Sequence, residues 1–126
     1  MYLRFVTTRI DKNSHKPQGV FQASYALLDS GDLTRDQWEY VRGMIIWFNA
    51  NLPTSPNKVD ARRAIFWFKS SAKENIRKVW ELVHALREHG HHVEVHKCRR
   101  LGNIVWEDDF QVAAFPSELD GRVTIQ

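Results

Sequence analysis

The sequence predicts a single α+β (or α/β) domain over residues 1–126, with three helices packed on a mixed sheet of about four strands. Residues 64–69 (AIFWFK) are apolar on both alternating faces, which is typical of a central strand covered on both sides. Three other segments carry apolar residues at helical spacing next to helix-start or helix-stop signals. The predicted order of elements is β-α-α-β-α-β-β.

The first half of the chain supplies one strand and two helices. Residues 2–9 alternate as a strand, and residues 20–28 form a short helix that ends near Gly31. Thr34 and Gln37 have the spacing of a capping box, so the second helix starts there. Two prolines, Pro53 and Pro56, prevent its continuation. Its predicted apolar stripe is Trp38, Val41, Ile45 and Phe48.

The second half begins with the strand at 64–69. Ser71 and Glu74 again have capping-box spacing, and the third helix extends to about His89, with Gly90 as its C-cap. Residues 91–99 alternate as a strand, and a right-handed crossover should join it to the strand at 64–69, parallel to it. Residues 103–115 are predicted as one strand that forms a terminal hairpin with the strand at 91–99 and has a bend or bulge near EDD, followed by a possible short strand in RVTIQ. The third helix has the predicted core stripe Ile76, Val79, Trp80, Val83 and Leu86.

Composition and charge restrict the class of protein. The start of the chain does not read as a secretory signal, and the apolar patch at 44–48 is far shorter than the ~20 residues of a membrane span. A single cysteine agrees with a reducing compartment, so we expect a cytoplasmic protein without a membrane partner. Residues 58–100 hold eleven Lys or Arg against five Asp or Glu, whereas residues 103–126 carry a net charge of −4. A basic centre indicates an anionic partner, unless the two segments neutralise each other in the fold.

The third helix carries a basic stripe with an aromatic border. Lys73, Arg77 and His84 fall within about 40° of one another on the helical wheel, and Trp80 lies just outside them. Such a stripe can neutralise phosphates while an aromatic ring stacks on a base. The alternative is that long basic side chains extend around the edge of the core and Trp80 is buried.

The helix start and the next strand add further basic residues. The FKSSAK junction, with Lys69, Ser70, Ser71 and Lys73, could hold an anion at the helix N-terminus, although it lacks the glycines of a phosphate loop. Lys97, Arg99 and Arg100 follow at the end of the strand at 91–99. Because parallel strands end on the same side of a sheet, both groups are expected to form one basic patch.

A row of potential metal ligands occupies one face of the strand at 91–99. Its members, opposite Val93 and Val95, are His92, Glu94, His96 and Cys98. Neighbours in the row are separated by roughly 6.8 Å, so only two could reach one zinc ion, which needs three or four ligands. The row is therefore a weak metal candidate, and no cofactor is expected. Cys98 beside His96 could act as a nucleophile, but no Gly-rich loop or helix start lies next to it in sequence to form an oxyanion pocket, and no catalytic constellation is identified.

These patterns favour a small cytoplasmic binding module that takes nucleic acid or another polyanion on a basic patch. The alternative is a protein-interaction or homodimeric module that binds an acidic protein or a second copy, because five tryptophans and seven phenylalanines could leave an exposed aromatic patch. Trp47, Trp67 and Trp106 are the rings whose accessibility distinguishes the two. A metal-binding protein that uses the His/Cys row ranks third.

Overall fold

The computed structural model describes residues 1–10, 15–53 and 64–115, together with the backbone of residues 122–125. Three helices and seven strands lie in these ranges. In chain order they are β1 Tyr2–Ile10, β2 Pro17–Gly19, α1 Val20–Asp29, α2 Arg35–Asn51, β3 Ile65–Lys69, α3 Lys73–Glu88, β4 Val93–Cys98, β5 Asn103–Glu107, β6 Gln111–Phe115 and β7 Arg122–Ile125.

The strands form one sheet in the order β5-β6-β3-β1-β4-β7, and the short β2 pairs with β1. Every pairing within the described ranges is antiparallel. The α+β class is confirmed. The predicted mixed sheet of about four strands is wrong in strand number and in strand pairing.

Strand β1 lies between the two strands that the crossover helix connects. Leu3 pairs with Phe68 of β3 on one side and with Lys97 of β4 on the other. Strands β3 and β4 therefore run parallel to each other but are not neighbours, since β1 separates them and is antiparallel to both. The sheet is antiparallel in its ladders for this reason, although the connection through α3 joins two strands of the same direction.

Residues 103–115 form a hairpin and not one bent strand. The side chain of Asp108 stabilises the turn of this hairpin, because its Oδ1 accepts hydrogen bonds from the backbone N–H groups of Phe110 and Gln111, both at 2.8 Å. Such carboxylate-closed turns are a common use of aspartate. Strand β6 then pairs with β3, and β4 takes β7 as its outer neighbour. The predicted pairing of the strand at 91–99 with the segment after it is thus wrong.

Both faces of β3 are covered, as its sequence predicts. Phe68 belongs to the large core between the sheet and the three helices, together with Phe5 and Val95. Ile65 and Trp67 point to the opposite face, because side chains alternate along a strand, and they pack in a second cluster. The other buried members of that second cluster are Cys98, Leu101, Val112 and Ala114.

The helix ends show one correct prediction of a cap and one wrong one. Thr34 and Gln37 form the predicted capping box of α2, with both reciprocal hydrogen bonds present at 3.2 and 2.9 Å. At α3, however, the N-cap is Ala72, and no side chain caps the helix, so the predicted role of Ser71 is wrong. Gly90 has a φ of +84°, which fits its predicted place after the last turn of α3.

Candidate functional site

The ends of β3 and β4 lie on the same side of the sheet. Tyr2, the first residue of β1, pairs with Lys69 at the end of β3 and with Cys98 at the end of β4. The start of α3 follows β3 after a short turn. Residues from α3, from the end of β4 and from the start of β1 therefore meet at this end of the three strands. The sequence predicts this meeting of strand ends, but not the presence of β1 between them.

An open cavity of about 450 Å³ lies at this end of β3, β1 and β4. We call it the basic cavity. Its floor and walls combine apolar side chains with three cations, and no carboxylate lines it. The residues that define the basic cavity are Met1, Leu3, Ser70, Lys73, Ile76, Arg77, Trp80 and Lys97.

Helical spacing explains the contribution of α3. Residues at i, i+4 and i+7 lie on one helix face, which places Lys73, Arg77 and Trp80 side by side above the sheet. Lys97 reaches the cavity from β4, because it lies on the same strand face as Val93 and Val95, the face that the helices cover. The structure thus brings together five residues that the sequence analysis selected, namely Ser70, Lys73, Arg77, Trp80 and Lys97.

The three cations of the basic cavity are available to a ligand. Lys73 and Arg77 are exposed, and Lys97 is half-buried. None of the three forms an ion pair with any other residue in the described ranges. Three like charges around one concavity favour an anion there, since each repels the other two in the absence of a counter-ion.

Trp80 packs against the core on one side of its ring. Its half-buried ring meets the ring of Phe5 edge-on, with the centroids 5.2 Å apart and the planes at 87°. The guanidinium of Arg87 lies 5.9 Å from the centroid of the Trp80 ring. The rest of the indole lines the basic cavity as part of its apolar floor. The alternative of a buried Trp80 is correct for one part of the ring only.

Lys69 lies apart from the basic cavity. It shares the strand face of Ile65 and Trp67, and its Nζ donates to Oε2 of Glu107 on β5 at 2.8 Å. This hydrogen bond, together with the negative charge of Glu107, raises the pKa of Lys69 above its ordinary value. The acidic EDD segment thus neutralises one member of the expected basic patch.

Four other selected residues also lie outside the cavity lining. Ser71, Arg99 and Arg100 are exposed at the surface near it. His84 is exposed on α3, and seven residues at a rise of ~1.5 Å place it about 10 Å along the helix from Arg77. They can widen a basic surface around the cavity but do not form its walls.

The row of His92, Glu94, His96 and Cys98 is occupied by internal hydrogen bonds. The carboxylate of Glu94 accepts from Nε2 of His96 at 3.1 Å and from Nε2 of His92 at 3.3 Å. The bond from His96, followed by that from His92, lowers the pKa of Glu94 below its ordinary value. Buried Cys98 donates from Sγ to the carbonyl oxygen of Arg100 at 2.8 Å.

This arrangement does not assemble a metal centre. Among the residues that the structure describes, no three His, Cys, Asp or Glu side chains are grouped so that they could hold one metal ion. The two imidazoles share one carboxylate, and Cys98 points into the second apolar cluster. Glu107 of β5 does not supply a further ligand to this row, because β5 lies at the other end of the strand order from β4 and β7.

A second cavity of about 490 Å³ lies at the opposite end of α3. It is lined by Arg87, Gly90, His91, His92 and Val93. The guanidinium of Arg87 donates to the carbonyl oxygen of Val93 at 2.9 Å, so this cation serves the connection between α3 and β4. The basic cavity is the stronger candidate site because its cations have no such internal role.

Comparisons of the chain with known protein families, with curated proteins and with solved structures find no match. No helix in the described part of the chain is long and apolar enough to cross a membrane. The geometry of the basic cavity is therefore the main indication of function.

Three residues of the cavity lining, Met1, Leu3 and Ile76, were not predicted from the sequence as site residues. Ile76 carried a signal, since helical spacing placed it at the border of the apolar stripe beside Lys73 and Arg77. Met1 and Leu3 carried none, because they enter the site through the pairing of β1 between β3 and β4. That pairing joins residues about 65 and 95 positions apart in the chain.

Proposed function

We propose that the protein is a small cytoplasmic binding module that takes nucleic acid, or another polyanion, on the surface around the basic cavity. The observation that carries this proposal is the convergence of Lys73, Arg77 and Lys97 on one concavity that has no carboxylate in its lining. Elsewhere on the fold, lysines pair with acids: Lys69 with Glu107, and Lys78 with Glu81.

The contrast on α3 itself supports the proposal. Lys78 lies next to Arg77 in sequence but on another helix face, where its Nζ is 3.7 Å from Glu81 and lies over the ring of Trp47. Its charge is used within the fold. Lys73 and Arg77 face the cavity without an acidic neighbour, and a phosphate chain is the ligand that supplies several negative charges at regular spacing.

The salt dependence of binding tests this function. A labelled 20-nucleotide RNA or DNA is titrated by fluorescence anisotropy from ~50 to ~200 mM salt. In the variant Lys73→Gln/Arg77→Gln, affinity should fall for all sequences, and the slope of log affinity against log salt should become shallower by about 1.4–1.8 if each side chain meets one phosphate.

A matched control removes the same charge from another helix. Arg35 and Arg42 are exposed on α2 and do not line the basic cavity, so Arg35→Gln/Arg42→Gln should leave the slope nearly unchanged. Equal losses in the two variants would show a diffuse field and not a site. Absence of any binding at ~50 mM salt, where even non-specific contacts are visible, would refute the function.

A protein-interaction module remains the second candidate, on a different observation from the one the sequence offered. Trp67 is buried, and Trp47 and Trp106 are half-buried, so these three rings form no exposed patch. Tyr40 and Ile46 of α2, however, are 56% and 53% exposed. The mass of the protein in solution, measured by light scattering at several concentrations, tests whether these exposed side chains of α2 mediate a homodimer.

A further inference from the structure

We infer that the basic cavity accepts one nucleotide unit of a single strand, with the phosphate among Lys73, Arg77 and Lys97 and the base against the apolar floor. This inference depends on the proposed function and makes it more specific. It names single-stranded nucleic acid as the ligand and the basic cavity as the place where one base leaves solvent.

The lining has two parts, and a nucleotide needs both. The cations Lys73, Arg77 and Lys97 match a phosphate, whereas Leu3, Ile76 and Trp80 offer an apolar surface. An inorganic anion gains nothing from the apolar floor, and a purely apolar ligand gains nothing from three cations. A charged phosphate attached to a flat aromatic base, whose faces can pack against apolar and aromatic side chains, uses the whole cavity.

The size of the site favours a single strand over a duplex. A cavity of about 450 Å³ lies within the range of roughly 300–1,000 Å³ that small-molecule sites occupy. The bases of a duplex are paired and stacked, so none can enter such a cavity without being flipped out. The bases of a single strand are already accessible for contact with aromatic and apolar side chains.

The floor is built from residues that the fold already holds in place, which should reduce the entropy lost on binding. Leu3 is held in the sheet between Phe68 and Lys97, and Trp80 is held by its edge-on contact with Phe5. Lys97 is the residue of β4 directly opposite Leu3 of β1, so a charged and an apolar side chain lie next to each other across this pair of strands. Preorganised walls of this kind increase affinity because few side chains must be ordered by the ligand.

Competition distinguishes a nucleotide pocket from a surface for polyanions in general. The probe is a labelled 12-nucleotide single strand, and the competitors are adenosine monophosphate, adenosine, ribose 5-phosphate, inorganic phosphate and an unlabelled duplex of the same sequence. The inference expects the single strand to bind more tightly than the duplex. It also expects the mononucleotide to compete at lower concentrations than adenosine, ribose 5-phosphate or phosphate.

A substitution in the floor supplies a second, independent readout. In Ile76→Gln, single-strand affinity should fall by at least about fivefold while the salt slope is unchanged, since the apolar contact is lost and no charge is removed. The matched control is Ile46→Gln, which changes an exposed isoleucine of α2 that is remote from the cavity lining. This control should bind like the unchanged protein.

Amide and indole chemical shifts locate the site without any substitution. On addition of adenosine monophosphate to ¹⁵N-labelled protein, the amides of Leu3, Ile76 and Lys97 and the indole N–H of Trp80 should shift together, and those of α2 should not. This measurement keeps the inference falsifiable even if Ile76→Gln fails to fold.

The outcomes separate failure of the inference from failure of the proposed function. Equal binding of duplex and single strand, without competition by the mononucleotide, would overturn the inference and leave polyanion binding intact. Absence of binding to every nucleic acid and mononucleotide would overturn both. Binding of the free mononucleotide without binding of any strand would also overturn both, and would identify the ligand as a free nucleotide.

Discussion

The two phenylalanines of β3 that face the helices should differ strongly in their contribution to stability. Phe68 is 7% exposed, and its ring meets those of Phe5 at 6.4 Å and Phe21 at 6.3 Å. Phe66, two positions earlier on the same face, is half-buried and contacts Trp106 at 6.5 Å. The sequence alone gives these two residues equal weight, because both belong to the same alternating apolar run.

The expected magnitudes follow from what each ring leaves behind. Phe68→Ala opens a cavity between the sheet and α1 that rigid neighbours cannot fill, and should lower the free energy of unfolding by about 3–5 kcal/mol. Phe66→Ala mainly exchanges partial burial for solvent and should lower it by about 1–2 kcal/mol. Urea unfolding followed by circular dichroism measures both values, with unchanged m-values as the check that the two states are comparable.

Equal losses in the two variants would refute this reasoning. They would show that the helices cover the outer part of β3 as tightly as its centre. A loss under 1 kcal/mol for Phe68→Ala would be a stronger contradiction, since it would place the ring outside the main core.

Three further predictions concern caps, the shared carboxylate and the cysteine. Thr34→Ala removes a capping box and should lower the free energy of unfolding by about 0.5–2 kcal/mol, whereas Ser71→Ala, which removes no cap, should leave it nearly unchanged. The lowered pKa of Glu94 means that its hydrogen bonds stabilise the fold at pH values above the ordinary glutamate pKa of about 4.3. The difference in free energy of unfolding between the protein and Glu94→Gln should therefore disappear as pH falls from about 5 to 3. A constant difference over that range would contradict this prediction. Because Cys98 is buried and hydrogen-bonded, a thiol-specific disulfide reagent should modify it only at the rate of unfolding, and fast labelling of the native protein would show that the second cluster is open.

Local rules predicted the helices well. The capping box at Thr34 and the positive φ at Gly90 depend on a few neighbouring residues, and both are present in the structure. The failure at Ser71 is also local: Ser71 and Ser70 form the turn after β3, and the helix begins one residue later than the capping-box spacing implies. Helix positions are thus predictable to within a residue from short-range chemistry.

Strand pairing could not be predicted from short-range patterns in the chain. The insertion of β1 between β3 and β4 depends on which strand edges best bury the apolar faces of the whole sheet, and no short-range signal encodes it. The hairpin at Asp108 was missed because three acidic residues suggested an exposed bulge, whereas one of them closes a turn through two backbone hydrogen bonds. The error then extended to β4, which was given β5 as a neighbour and has β7 instead.

The candidate site was predicted as far as local periodicity extends. Lys73, Arg77 and Trp80 follow from the helical period, and Lys97 follows from alternation along β4. Lys69 was placed in the same group because it is near in sequence, yet it directs its side chain to the other face of the sheet. Both faces of β3 are apolar, so the sequence could not show which of them α3 covers.

The cations of the basic cavity should reduce stability in exchange for binding, and one substitution tests this exchange. Lys73 and Arg77 are like charges at i and i+4, and Lys73 also lies in the first turn of α3, where a positive charge opposes the helix dipole. Lys73→Glu turns the repulsion into an attraction and should raise the free energy of unfolding by about 0.5–1.5 kcal/mol. The same substitution should weaken nucleic-acid binding more than Lys73→Gln does, because it adds a negative charge to the cavity.

The control for this exchange is Lys78→Glu on the same helix. Lys78 pairs with Glu81 and lies over the ring of Trp47, so reversal of its charge removes favourable contacts and places like charges next to each other. It should therefore lower stability, with a smaller effect on binding than Lys73→Glu. Urea unfolding should therefore show that Lys73→Glu stabilises the protein and that Lys78→Glu destabilises it. Fluorescence anisotropy should show that Lys73→Glu weakens binding more than Lys78→Glu does. Both results are expected if Lys73 is placed for a ligand at a cost in stability. If Lys73→Glu destabilises the protein, Lys73 has a structural role, and the case for a ligand at the basic cavity loses its main support.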